Sequence, residues 1–185
     1  MALRIEDKWL RYALKETVGT PITKEKLAEI KHLDWSEYRA EAGMDWGTIQ
    51  DIGPLRHCTN LKVLSFDGNS VSNLTPLSHL ANLEEIWLVQ NVVSDLSPLK
   101  NLHKLKKLVV DMNYYLTSIQ PLAGLQGLTY LNIGGTQVSD LTPLRDLPGL
   151  KKVTLYGIKG LEVSPESENQ KVLDELRQAG VEILI

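Results

Sequence analysis

The chain has 185 residues, of which 43% are hydrophobic and 23% are charged, values typical of a single globular domain. No apolar run approaches the roughly 18 residues of a membrane helix, and a net charge of −3 lacks the concentrated basic footprint of a nucleic-acid binder. A single Cys excludes an internal disulfide and fits a reducing compartment. The first residues show no apolar stretch typical of a secretory leader, so we expect a cytoplasmic chain, or a secreted one if a leader has been removed.

Two helices are predicted at the start of the chain. Ile5, Trp9 and Ala13 recur at a spacing of four, which predicts a helix over residues 1–20. Thr23 is a suitable N-cap for a second helix over residues 24–31. A stacked repeat array needs a polar cover over its open end, so we interpret residues 1–29 as an N-terminal helical cap.

Residues 30–60 are interpreted as a degenerate first repeat. Ile30, Leu33 and Trp35 match a strand frame that recurs from residue 61 onwards. The distance from Ile30 to Leu61 is 31 residues, against a later period of 22. We place the extra residues within 37–48.

The frame L-x-x-L-x-L-x-x-N, with conservative replacements, opens five times between residues 61 and 160, at Leu61, Leu83, Leu105, Leu128 and Leu150. Successive openings lie 22, 22, 23 and 22 residues apart. A fixed period with this frame is typical of leucine-rich repeats. It predicts an α/β leucine-rich repeat solenoid, a right-handed superhelix with a parallel sheet on its concave side.

A proline lies seven residues before each opening Leu, at Pro54, Pro76, Pro98, Pro121 and Pro143. Proline fixes φ near the helical value and cannot sit inside a parallel sheet, so each repeat should return through a 3-10 or short helical turn on the convex side. We expect Asn69, Asn91 and Asn113 to form a column that binds the backbone of the turn and of the next repeat. Cys58 falls on the same column as Leu80 and is interpreted as a core residue.

The pattern changes after Leu155. Ser164-Pro165-Glu166 is typical of a helix start and Gly180 of a helix end, and residues 181–185 form a β-type run. We expect residues 161–185 to form a C-terminal helix-strand cap whose strand lies parallel to the last repeat strand. The whole chain, 1–185, is then one solenoid domain with residues 61–160 as its regular repeats.

The consensus Lx2LxLx2NxVSDLxPLx2L, within residues 21–160, resembles the leucine-rich repeats of bacterial internalins and their relatives. The segment from Pro21 to Leu27 resembles the segment that precedes the repeats in many bacterial proteins of this class. The resemblance implies a curved array that binds other proteins on its concave sheet. It transfers no individual functional residue, because members of the class choose their partners through the variable positions.

The variable strand positions alternate with the buried Leu positions and therefore face the concave side. They form three rows of side chains across strands about 4.8 Å apart. Within these rows we predict an apolar patch of Trp87, Val89, Val109, Tyr130 and Tyr156, rimmed by Glu85, Lys107, Asp67 and Asp111. An exposed aromatic patch with a polar rim is typical of a protein-binding hot spot. The alternative is that the rings cover one another or contact a terminal cap.

Two insertions follow strands at the same edge of the predicted sheet, one within residues 37–48 and one at Tyr114-Tyr115. They supply a possible rim of the contact surface, formed by Tyr38, Met44, Trp46, Tyr114 and Tyr115. An equally weighted alternative is that Trp46 fills the core of the first repeat.

No residue set in the sequence indicates chemistry. His57 and His79 occupy equivalent positions one repeat apart, but no further donors complete a metal-ligand set. Motifs of phosphate-binding loops, serine hydrolases and zinc proteases are missing from the sequence. We therefore expect no enzyme activity, no cofactor and no metal.

The predicted function is that of a non-catalytic protein–protein interaction module. We expect a monomer that binds another protein on its concave sheet, without nucleic-acid binding or membrane insertion. One alternative is a fragment of a secreted or surface-attached internalin-like adhesin. An enzyme is a weaker alternative, because it needs an enclosed pocket with converging titratable groups.

Overall fold

The computed structural model describes residues 1–35 and 48–185, and one parallel sheet runs through both parts. Each strand pairs in parallel with the next strand along the chain. The described strands, in chain order and in sheet order, are β1 (His32–Asp34), β2 (Val63–Ser65), β3 (Glu85–Trp87), β4 (Lys107–Val109), β5 (Tyr130–Asn132), β6 (Lys152–Thr154) and β7 (Glu182–Leu184).

Short 3-10 helices return the chain between β1 and β6, as the proline spacing predicts. They are η1 (Gly53–His57), η2 (Thr75–Leu77), η3 (Ser97–Leu99), η4 (Gln120–Leu122) and η5 (Thr142–Asp146). Each has proline in its first turn, where the missing N–H needs no partner. Parallel sheet and proline-initiated turns together confirm the predicted leucine-rich repeat solenoid.

The core lies between the sheet and the 3-10 helices. The five Leu residues that open the repeats are at most 6% exposed. Cys58 is fully buried on the column of Leu80, which confirms its interpretation as a core residue. Burial raises the pKa of its thiol to about 12, so the thiolate that would react is suppressed.

A column of buried Asn side chains links neighbouring repeats through hydrogen bonds. Asn91 accepts the N–H of Val71 at 2.9 Å and donates to the carbonyl of Phe66 at 2.9 Å. Asn69 and Asn113 make the equivalent bonds to Ile49 and to Val93. The predicted column is therefore present and binds the backbone of its own turn, as predicted. The other repeat that it binds is the preceding one, so the prediction of the next repeat was wrong.

The N-terminal helix α1 covers Lys8–Val18 and α2 covers Lys24–Glu29. The predicted helix over residues 1–20 thus begins too early. Asp7 is the reason, because its side chain caps the N–H groups of Trp9 and Leu10, at 3.0 and 2.9 Å. Residues before Asp7 run alongside the segment that precedes α2, through a bridge between Ala2 and Thr23. The role of these elements as a cap remains a prediction.

The C-terminal helix α3 covers Glu168–Gln178 and is followed by β7, which lies parallel to β6 as expected. The helix begins after Ser167, three residues later than the predicted start at Ser164. Ser167 Oγ donates to the carbonyl of Ser164 at 2.8 Å and accepts the N–H of Gln170 at 3.2 Å. Ser164-Pro165-Glu166 is consequently a turn that leads into the N-cap residue Ser167. In the described part of the chain, no helix is both long and apolar enough to cross a bilayer.

Candidate partner-binding surface

The strand register assembles the predicted rows of side chains. The first row is His32, Val63, Glu85, Lys107, Tyr130 and Lys152, and β7 extends it by Glu182. The second row is Asp34, Ser65, Trp87, Val109, Asn132 and Thr154, extended by Leu184. The third row is Asp67, Val89, Asp111, Gly134 and Tyr156. It is aligned by backbone hydrogen bonds from the residue that follows each member, such as the bond from Gly68 N–H to the carbonyl of Val89.

Trp87 is the large aromatic side chain at the middle of this surface, and it is half-buried. Its indole Nε1 donates to Oε2 of Glu85 at 3.4 Å. The other carboxylate oxygen of Glu85 pairs with Nζ of Lys107 at 3.1 Å. The indole N–H is therefore satisfied within the chain, and the ring is left to make apolar contact.

Val109 belongs to the predicted patch, but its side chain is buried and only 2% exposed. It lies between Trp87 and Asn132 in the second row, with a longer side chain on each flanking strand. Val109 is therefore not part of an exposed patch, contrary to the prediction. Val89, in the third row on the same stretch as Trp87, is half-buried and retains accessible surface.

The two tyrosines of the predicted patch lie apart from Trp87. Tyr130 is half-buried on β5, two strands away, which corresponds to roughly 10 Å of sheet. Tyr156 follows β6 and is 72% exposed. In the part of the chain that the structure describes, only Trp9 and Trp35 form a close ring pair. The concave rings therefore do not stack on one another, and Trp87 with Val89 forms the apolar centre.

Two carboxylates stand beside this centre in the third row. Asp67 Oδ1 accepts the N–H of Val89 at 2.8 Å. Burial raises the pKa of Asp67, and the charge of Asp34 raises it further. The pKa of Asp111 is raised first by burial and then by the charge of Asp67. Among the described residues, Oδ1 of Asp111 is buried without a hydrogen-bond partner.

Gly134, next to Asp111 in the third row, is buried against the backbone of the following repeat, a feature that was not predicted from the sequence. A Cβ atom built on Gly134 would lie 2.8 Å from the carbonyl oxygen of Tyr156, too close for any other residue. The sequence signal was present, since Gly134 occupies a variable strand position where every neighbouring repeat carries a side chain. The concave surface thus combines an indole, a valine and two carboxylates.

The rim after the strands is apolar and more extensive than predicted. Tyr114 and Tyr115 are 53% and 66% exposed, in the places where the extra residue of their repeat puts them. Val92 and Met112 are also exposed on this edge and were not predicted. The predicted rim residues Tyr38, Met44 and Trp46 lie outside the described residues.

Within residues 1–35 and 48–185, no three His, Cys, Asp or Glu side chains are grouped closely enough to hold a metal ion. Burial lowers the pKa of His57, and the charges of Arg56 and Lys24 lower it further. His57 lies on the 3-10 helix side of the core rather than on the concave sheet. The concave face therefore offers apolar contact and charge to a ligand.

The fold and the repeated sequence give the chain the architecture of a leucine-rich repeat solenoid. The family model described as leucine-rich repeats, in two copies, matches residues 81–124. No curated protein sequence matches the chain. Proteins with such repeats are typically interaction modules without enzymatic activity.

Solved structures point to internalin-like repeats of bacterial type. The chain is 25% identical to an internalin, inlF, from Listeria monocytogenes, with a TM-score of 0.61 over 82% of this chain and 50% of that one. It is 29% identical to internalin C2 from the same organism, with a TM-score of 0.62 over 82% of this chain and 76% of that one. A leucine-rich repeat protein from Leptospira interrogans shares the fold, with a TM-score of 0.67 at 20% identity over 86% of this chain and 38% of that one. The chain therefore spans about half the length of the inlF structure.

Proposed function

We propose that the chain is a non-catalytic module that binds another protein on its concave sheet, centred on Trp87. The half-exposed indole stands on a strand that is hydrogen-bonded on both sides, and its N–H is already paired with Glu85. A ring held in this way loses little side-chain entropy when a partner covers it, so more of its burial appears as affinity. Trp is also the residue type most enriched at binding hot spots. This single observation carries the proposal.

The charges around Trp87 support a partner that brings a cation. Asp67 and Asp111 lie on either side of Val89 in the third row, and burial disfavours the charged form of both. A Lys or Arg side chain of the partner, placed beside Val89, would lie near both carboxylates and offset that cost. The proposed contact is therefore an apolar side chain against Trp87 and Val89, with a basic side chain next to it.

The test begins by identifying the partner with a photoreactive amino acid. Placed at Tyr156, which is 72% exposed, it should crosslink a partner that covers the concave face. The same residue placed at Lys100, which lies beyond η3, is the control and should not capture that protein. Mass spectrometry of the crosslinked product then names the partner.

The affinity of the purified partner is then measured by calorimetry against two variants. Trp87→Ala combined with Tyr130→Ala should weaken binding by about 30-fold or more, since a hot-spot residue contributes about 2 kcal/mol or more. Lys100→Ala should leave the affinity unchanged, and circular dichroism should show that both variants remain folded. Undiminished affinity in the Trp87 variant would place the contact elsewhere and end the proposal.

A second candidate is a piece of a surface-attached internalin-like adhesin, with the same contact face used outside the cell. Its support is that the chain spans 50% of the inlF structure and 38% of the Leptospira protein. We propose a cytoplasmic location instead, on the ground of the lone buried Cys58. Fractionation of the source cells with an antibody against the repeats separates the two, because an adhesin is accessible on intact cells.

A further inference from the structure

A cavity of about 370 Å³ opens at the N-terminal end of the molecule, away from the concave sheet. One wall is helix α1, through Trp9 and Tyr12. The other wall is the extended segment before α1, which is held by the hydrogen bond from Leu3 N–H to the carbonyl of Ile22 at 2.8 Å. The cavity is therefore bounded by two elements that are each tied to the rest of the fold.

The interior of the cavity is apolar and pre-formed. Leu3, Trp9, Tyr12 and Ile22 line it, and all four are buried or half-buried. The Trp9 ring packs edge-on against Trp35, with 6.5 Å between the ring centroids. That contact fixes the indole in its place, so the ring does not swing inward to fill the space.

The rim of the cavity is positive. Lys8, Arg11 and Lys15 lie at positions i, i+3 and i+7 of α1 and so share one face of the helix. The lining contains no carboxylate, and among the described residues none of the three cations forms an ion pair. Arg11 uses one guanidinium nitrogen to donate to the carbonyl of Ile5 at 3.1 Å, and Lys8 Nζ lies 4.7 Å from the Trp9 ring. The three cations give this apolar cavity a positive rim, although the chain as a whole has a net charge of −3.

We propose that this cavity binds a small amphipathic anion, a free molecule with one apolar chain and one carboxylate or phosphate head group. The apolar chain would lie against Trp9, Tyr12 and Ile22, and the head group would pair with Lys8 and Lys15. The volume falls in the range of about 300–1,000 Å³ that small-molecule sites occupy. A protein partner would need about 800 Å² of surface on each side, which a cavity of this size does not provide.

The test uses decanoate as the probe, at concentrations below its micelle threshold, with the neutral molecule 1-decanol as its match. Titration is followed by calorimetry and by the indole N–H signals in ¹H–¹⁵N spectra, in which Trp9→Phe identifies the Trp9 signal. Decanoate should bind one molecule per chain, move the Trp9 signal and bind about tenfold more tightly than decanol, as charge-assisted contacts require. Lys8→Gln combined with Lys15→Gln should remove that advantage without weakening decanol binding.

Lys100→Gln combined with Lys159→Gln is the control, since it removes the same charge from exposed sites far from α1. Because all four lysines are exposed, thermal melts should show both double variants folded. The proposal is overturned if decanoate does not saturate, if decanol binds equally well, or if the Lys8 and Lys15 variant keeps the full affinity. It is also overturned if anionic lipid vesicles bind the chain while monomeric decanoate does not, because the site is then a membrane contact.

Discussion

Replacement of Asn113 by Ala should be among the most damaging single changes to the repeat array. Asn113 is fully buried. Its Oδ1 accepts the N–H of Val93 at 2.8 Å, and its Nδ2 donates to the carbonyls of Leu88 at 2.8 Å and Val110 at 2.9 Å. Alanine leaves all three backbone groups inside the core, where water cannot reach them.

Two other residues of the same column, Asn91 and Thr136, provide variants for comparison with Asn113→Ala. In Asn91→Ala, the carbonyl of Phe66 keeps its bond from Asn69, so the N–H of Val71 is the main group left unpaired. Thr136, in the equivalent place one repeat later, donates from its hydroxyl to the carbonyl of Ile133 at 2.7 Å. At about 1–3 kcal/mol for each buried group left unpaired, the expected losses are about 4 kcal/mol for Asn113→Ala, about 2 for Asn91→Ala and about 1 for Thr136→Val.

Equilibrium unfolding in urea measures this series. With an m-value of about 2 kcal/mol/M, Asn113→Ala should lower the unfolding midpoint by about 2 M and Thr136→Val by about 0.5 M. Tryptophan fluorescence and circular dichroism should give coincident transitions, since separate transitions would mean that the array unfolds in parts. If Asn113→Ala costs no more than Thr136→Val, the reasoning from unpaired backbone groups is refuted.

Three further predictions address single side chains. Asp111→Asn should stabilise the fold at about pH 7 and lose that gain at about pH 4. The reason is that burial raises the pKa of the native carboxyl, and its charged form is destabilising only above that pKa. Thermal melts at both values of pH check this. Asp7→Ala should cost about 1–2 kcal/mol and raise hydrogen exchange in both α1 and residues 50–51, whose N–H groups bond Asp7 Oδ2, whereas exchange raised in α1 alone would contradict the link. Cys58 should react with a thiol reagent only on unfolding, since burial raises the pKa of its thiol to about 12, and rapid labelling of the native chain would refute its burial.

The repeats were predictable because their period determines their register. Each opening Leu sets which residues of a strand point inward, and equal spacing brings the same positions of neighbouring repeats together. The 23-residue repeat tests this logic, since its extra residue could have shifted Tyr130 away from Lys107. The two remain partners because the insertion at Tyr114-Tyr115 follows the strand and is accommodated at the rim.

The ends of the helices were less predictable, because local sequence signals compete there. Ile5 fits the helical spacing of α1, yet it lies in an extended segment and is only 2% exposed, because the N-cap Asp7 makes the helix begin at Lys8, three residues later. Ser164 and Ser167 are both good caps, three residues apart. The choice of Ser167 depends on where Asn169 must lie to bond the backbone of Leu141 and Ser139, at 2.9 and 2.8 Å, and that is a tertiary constraint.

The composition of the proposed binding surface could be predicted from the sequence, but its exposure could not. Rows follow from the period, whereas exposure depends on the lengths of side chains on neighbouring strands. Val109, between Trp87 and Asn132, is 2% exposed, while Tyr156, beyond the end of β6, is 72% exposed. The centre of the surface therefore shifts toward Trp87, Val89 and the carboxylates of the third row. A partner that fits this surface must match the side chains both along each strand and across neighbouring strands. The exposed aromatic residues alone therefore do not define the site.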